Sequence, residues 1–217
     1  MFNTNNLGGW IIPAGTEIAA ETGIPSYSEI NYCTISYGCT IGDRCTISYG
    51  CAIGDDCAIG DGCAIGNYCT IGEGCTIGDG CKIGDGCTIG NDCTISDGCK
   101  IGDGCKIGDG CTIGDGCTIG NDCTIGDGCT IGYVCTIGDY CTIGDGCTWL
   151  GVKVKSWLTL ANVDGSNRQI KVVRSDEGEI KIEAGCFIGA LDKFIVKAKS
   201  EGKLRYVAVI GAIAEHV

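Results

Sequence analysis

The sequence predicts an all-β solenoid followed by a small α+β domain. Three observations carry this reading. Twenty cysteines recur every sixth residue from Cys33 to Cys147, the unit between them reads Cys-Thr-Ile-Gly-Asp-Gly, and the rhythm stops after Cys147. Successive side chains along a strand point to opposite faces, so Cys and Ile share one side and Thr takes the other. Gly-Asp-Gly then supplies a corner, because glycine accepts the positive φ that a sharp turn requires. A short two-sided strand and a tight corner, repeated without interruption, wind into a solenoid rather than a globule.

Recast as Ile-Gly-Asp-Gly-Cys-Thr, the unit resembles the hexapeptide repeat of the left-handed parallel β-helix superfamily. In that repeat an aliphatic residue points inward and a small residue lies two positions before it. Ile35, Ile41 and Ile47 with their successors take the aliphatic place; Cys33, Cys39, Cys45, Cys51 and Cys57 with theirs take the small inward one. The resemblance covers residues 33–148 and implies three hexapeptides per coil, one on each side of a triangular prism.

The same spacing reaches upstream of the cysteines. Thr16-Glu17-Ile18, Thr22-Gly23-Ile24 and Ser28-Glu29-Ile30 keep it, and Ile12 extends the row. The step from Ser28 to Cys33 is five residues, so the corner at Asn31-Tyr32 is expected to be one residue short. Between seven and eight coils follow, roughly 37 Å of prism at a strand spacing of about 4.8 Å. Residues 1–11, with Trp10, are expected to cap the open end, residues 12–148 to form the helix, and residues 149–217 to form the second domain.

In that second domain Ser156–Val163, Gln169–Val173 and Glu179–Glu183 read as strands, joined by polar turns at Asp164–Asn167 and Ser175–Gly178. Leu191, Phe194, Ile195 and Ala198 have helical spacing, and Leu204–Ala214 reads as a second apolar helix. The segments Trp157–Arg168, Ile182–Gly189 and Arg205–Val209 resemble the tail of phage and prophage hexapeptide-repeat proteins. That resemblance implies a viral or prophage origin and synthesis in a bacterial cytoplasm.

Charge divides with the pattern. Residues 1–148 carry 19 acidic and 4 basic side chains, whereas residues 149–217 carry 8 and 11, for a net charge of −12. An acidic prism repels phosphate, so nucleic acid is not an expected partner. No apolar run approaches the roughly 20 residues of a membrane span. Met1–Gly9 lacks the basic and apolar regions of a signal peptide, and the expected location is cytoplasmic.

A reducing compartment keeps thiols free, and an inward cysteine packs as a small hydrophobe. Cysteines one coil apart lie within bridging range, but their parallel Cβ vectors disfavour a disulfide. Zinc sites need pairs that converge on a point, which a uniform period of six does not provide. Free thiols are the expectation; scattered disulfides and a metal chain are the alternatives.

The outward side is a printed surface. Thr40, Thr76, Thr94, Thr112, Thr130 and Thr148 form one column with Ala58; Thr34, Thr70, Thr88, Lys106, Thr124 and Thr142 form another with Ala52; Lys82 and Lys100 interrupt the third. Threonine is a good strand former and stacks on itself. Flat threonine arrays also resemble the surfaces of β-solenoid antifreeze proteins, which gives ice binding as an alternative function. At the corners Asp43, Asp61, Asp79, Asp97 and Asp115 are expected along one edge, and Asp85, Asp103 and Asp139 along another.

Hexapeptide acyltransferases use a histidine base, and related carbonic anhydrases hold zinc with three histidines. This chain has one histidine, His216, and no loop interrupting the repeats. No catalytic, cofactor or metal residues are therefore assigned. The expected function is a non-enzymatic scaffold: a rigid acidic rod assembled through its caps or C-terminal domain, as a homo-oligomer and preferably a trimer, as the superfamily implies. A binding module for a small molecule or host protein, with interference in host defence as one form of it, is the alternative.

Overall fold

A computed structural model describes residues 2–161, 163, 169–185 and 187–213. It divides into two compact units, one ending at Gly144 and the other beginning at Asp145. The first is a β-solenoid; the fold as a whole has about eight turns of parallel stacking.

Each hexapeptide gives a two-residue strand, Thr34–Ile35, Thr40–Ile41, Thr46–Ile47 and onward, with the first residue exposed and the isoleucine buried. Every third strand pairs in parallel, as in Thr70↔Thr88 with Ile71↔Ile89, so three sheets rise side by side. The isoleucines stack in register inside, which is where the core of this unit lies. The early coils differ. Glu17↔Thr34, Gly23↔Thr40 and Glu29↔Thr46 are 17 residues apart rather than 18, because the corner at Asn31–Tyr32 lacks one residue. Asn31 compensates by donating both its backbone N–H and its Nδ2 to the Ile12 carbonyl, each at 3.1 Å.

The first strand of the solenoid, Trp10–Ile12, is covered by a short antiparallel partner, Asn3–Thr4. Asn5 closes this hairpin by accepting the N–H groups of Leu7 and Gly9, and Phe2 packs 5.5 Å from Trp10. A row of unpaired backbone groups on that strand is thereby blunted.

Four longer antiparallel strands and two helices make up most of the second unit, with the short strand Thr148–Trp149 paired to the first of them. That first strand, Val152–Ala161, pairs with Gln169–Ser175, which pairs with Ile180–Ala184, which pairs with Phe187–Ala190. The three expected strands are present, the first starting four residues earlier than its apolar run. The fourth, Phe187–Ala190, has no counterpart in the sequence pattern. It is too short for a period and carries Gly189, so its pairing comes from the neighbouring strand.

Helix α1 spans Leu191–Ser200 and α2 spans Leu204–Ile213. Asp192 in the first turn of α1 and Lys197 and Lys199 in its last turn complement the helix dipole. The turn at Gly202, φ +71°, lets Lys203 N–H return to the Ala198 carbonyl at 2.8 Å. One face of the sheet and the helices enclose Ile170, Val172, Ile182, Phe194, Ala198, Tyr206 and Ile210. On the other face Lys171 and Glu183 form a buried ion pair at 2.6 Å. The turn at Asp164–Asn167, Ala214 of the expected second helix and His216 lie outside the described residues.

Candidate functional site

The solenoid offers three kinds of repeated chemistry: an outward row, a corner ladder and an inward thiol column. In the outward row, Thr40, Ala58, Thr76, Thr94, Thr112 and Thr130 stand in consecutive register. Thr148 belongs to the second unit, where it pairs with Lys153 and is half-buried. Lys82 and Lys100 are direct neighbours in the third row, and Lys106 sits between Thr88 and Thr124 in the second.

The corners carry a hydrogen-bond ladder that the sequence does not announce. One repeat, Cys75–Gly80, shows the full scheme. Thr76 N–H donates to the Cys57 carbonyl at 3.0 Å and Gly78 N–H to the Ile59 carbonyl at 2.8 Å. Asp79 N–H donates to Oδ1 of Asp61 at 2.9 Å, and Gly80 N–H donates to the Asp97 carbonyl at 2.9 Å. The carboxylate of one coil thus satisfies the corner amide of the next, from Asp43 through Asp61, Asp79, Asp97 and Asp115 to the amide of Tyr133.

Asparagine can stand in for aspartate here, since Asn67, Asn91 and Asn121 accept from Asp85, Asp109 and Asp139 at 2.8–3.0 Å. The shared duty is an acceptor oxygen rather than a negative charge. Along the edge of Asn67 and Asn121, Asp85 serves Asp103 and Asp103 serves Asn121, while Asn91 and Asp109 stand on the third edge. The glycine before each corner leaves room for the ladder: a Cβ on Gly60 would lie 2.3 Å from Asp43 Oδ1. Where Ser96 stands in that place, the bond from Asp97 N–H to Asp79 lengthens to 3.2 Å.

Inside, Cys33, Cys39, Cys45, Cys51 and Cys57 and their successors are buried except for the half-exposed Cys141, and all twenty repeat cysteines are free thiols. They are more than small hydrophobes. From Cys57 to Cys141 each thiol donates to the carbonyl of the glycine or serine 21 residues earlier, at 3.0–3.2 Å. That carbonyl ends a strand of the coil before. A weak donor in a dry interior answers it without the desolvation cost of a hydroxyl. Burial pushes the Cys39 and Cys141 thiols up. Hydrogen bonding to the thiol in the neighbouring coil, followed by burial, raises Cys57 and Cys123 as well.

Among the described residues no three of His, Cys, Asp and Glu converge to hold a metal ion. No helix among the described residues is long and apolar enough to cross a membrane. In the second unit Phe187, Phe194 and Tyr206 line a concave pocket of about 150 Å³ with Lys197 and Lys203 at its margin. The sequence pattern assigns most of these residues to helices and none to a site. The available signal is two lysines flanking an aromatic helical stripe, which reads equally as an amphipathic helix.

Uninterrupted hexapeptides, parallel three-sheet stacking and inward isoleucines define the hexapeptide-repeat class of β-helix. A family model described as GMPPB C-terminal domain, a left-handed β-helix of this kind, matches residues 51–163, just over half of the 217. The chain belongs to the GMPPB C-terminal domain family. Comparison with curated proteins and with solved structures gives no match.

Proposed function

We propose that this protein is a non-enzymatic structural rod, assembled as a homo-oligomer and preferably a trimer. The observation that carries the reading is the unbroken coil. From Cys33 to Thr142 the hexapeptides follow one another on the same strand-and-corner backbone, and no insertion leaves the prism to wall a reaction site. Such a body transmits force and spacing along its axis, since each coil is stapled to the next through strand, corner and thiol bonds.

An aromatic strip on one edge supports assembly. Tyr32, Tyr49 and Tyr68 are each about 60 % exposed, and the rings of Tyr49 and Tyr68 lie 5.5 Å apart. Exposed aromatics that cluster are characteristic of interface cores. The resemblance of the C-terminal segments to phage and prophage proteins supports a virally encoded rod made in a bacterial cytoplasm.

Light scattering across a hundredfold range of concentration tests the reading, with negative-stain images of the same samples. A constant trimer mass, or rods growing end to end, is the expected result. Monomers at every concentration would overturn it. Tyr49→Ser with Tyr68→Ser is expected to weaken assembly while leaving the solenoid folded.

A further inference from the structure

We infer that the pocket of the C-terminal unit is a binding site for a small aromatic anion, a single ring bearing a carboxylate. The floor is apolar: Phe194, Tyr206 and Ile170 are all buried core residues. Phe187 and Phe194 lie 5.3 Å apart and tilted, and Phe194 meets Tyr206 edge-on at 6.2 Å. These rings offer both edges and faces to a fourth ring, the geometry aromatic groups prefer. The volume, about 150 Å³, matches the size of cavity that admits one benzene ring.

Charge at the margin selects the rest of the ligand. Lys203 is held by Glu201 at 2.6 Å, whereas Lys197 reaches the same carboxylate only at 3.9 Å. The Lys197 ammonium stands instead 5.7 Å from the centre of the Phe187 ring. Two cations share one anion, and the less tightly held of them overhangs the aromatic floor. A ring seated on Phe194 with its carboxylate turned outward meets that ammonium. Glu201 lines the pocket too, and against it the two lysines leave one net positive charge. A cationic ligand would face that excess, and a neutral one would leave it unanswered. Part of the Lys197 side chain is solvent-exposed, so its contribution is that of a partly screened, charge-assisted hydrogen bond.

The inference is independent of whether the solenoid assembles, and its test uses the full chain. Fluorine NMR would follow 4-fluorobenzoate, 4-fluorobenzyl alcohol and 4-fluorobenzylammonium titrated into the protein. Saturable binding of the benzoate about tenfold tighter than the alcohol is expected, with the ammonium weakest. Lys197→Gln is expected to reduce the benzoate to the alcohol's affinity and leave the alcohol unchanged. Ala184→Leu, which thickens the pocket wall, is expected to remove both. No saturation by ~10 mM probe, equal binding of the three probes, or unaltered benzoate affinity in Lys197→Gln would each overturn the assignment. The lysine variant changes one exposed side chain, so the test does not depend on Ala184→Leu folding.

Discussion

Val134 occupies a corner position that most repeats give to glycine, and its φ is +60°. The other non-glycine residues in this conformation are Glu, Tyr, Arg, Asp and Leu; Val134 is the one β-branched side chain there among the described residues. Left-handed backbone costs an L-residue about 1–2 kcal/mol, and crowding at Cβ makes valine the worst placed of them. Glycine would bring about 0.5–1 kcal/mol of extra unfolded-chain entropy. The strain term wins, so Val134→Gly is expected to raise the thermal midpoint. A fall would show that the valine side chain contributes more than its backbone costs.

The thiols predict a dependence on pH. A cysteine thiol ordinarily ionises near 9.0, and burial holds Cys39 and Cys141 above it. Hydrogen bonds between stacked thiols raise Cys57 and Cys123 and lower Cys45 and Cys69, so the prediction rests on the pair that burial raises. A raised acid stays protonated in the folded chain while the unfolded chain ionises. Below pH 9 both forms keep their protons and nothing is lost; above it the unfolded state gains, and stability falls. Chemical denaturation at pH 8 and pH 10.5 checks this, the midpoint being lower at the higher pH. Native alkylation is expected to reach Cys141, the half-exposed thiol, before the other repeat cysteines.

Within the coil, the corner ladder separates two roles that an aspartate combines. Asp97 Oδ1 accepts the Asp115 amide at 2.7 Å, and the carboxylate also stands in a stack of like charges. Asp97→Ala removes the acceptor and is expected to cost about 1 kcal/mol. Asp97→Asn keeps an acceptor, as Asn67, Asn91 and Asn121 do natively, and relieves repulsion that is largest at low salt. It is expected to be neutral or stabilising, with the advantage over Asp97 shrinking as ionic strength rises. Equal destabilisation by both variants would show that the charge itself is needed.

Strands, their inward isoleucines and the short corner at Tyr32 were legible because each is a local pattern of period two or six. The ladder was not, since its partners are 18 residues apart and an aspartate in a turn reads first as a local cap. The thiol donors were hidden for the same reason: cysteine at a buried position looks apolar until its carbonyl partner is located. The strand at Phe187–Ala190 and the aromatic pocket depend on pairing between segments, which no single window contains.

For the molecule as a whole, the sequence carries its excess acid on residues 1–148 and a slight excess of base on residues 149–217. Like charge of that density resists nonspecific association along the solenoid's faces, so the proposed assembly falls to its aromatic edge or to the C-terminal unit. The most direct measurement is native mass spectrometry of the full chain purified without reductant. The account predicts a closed trimer, or an end-to-end series, whose subunit mass shows every thiol reduced. A monomer, or a subunit lighter by about 2 Da for each disulfide between stacked cysteines, would contradict it.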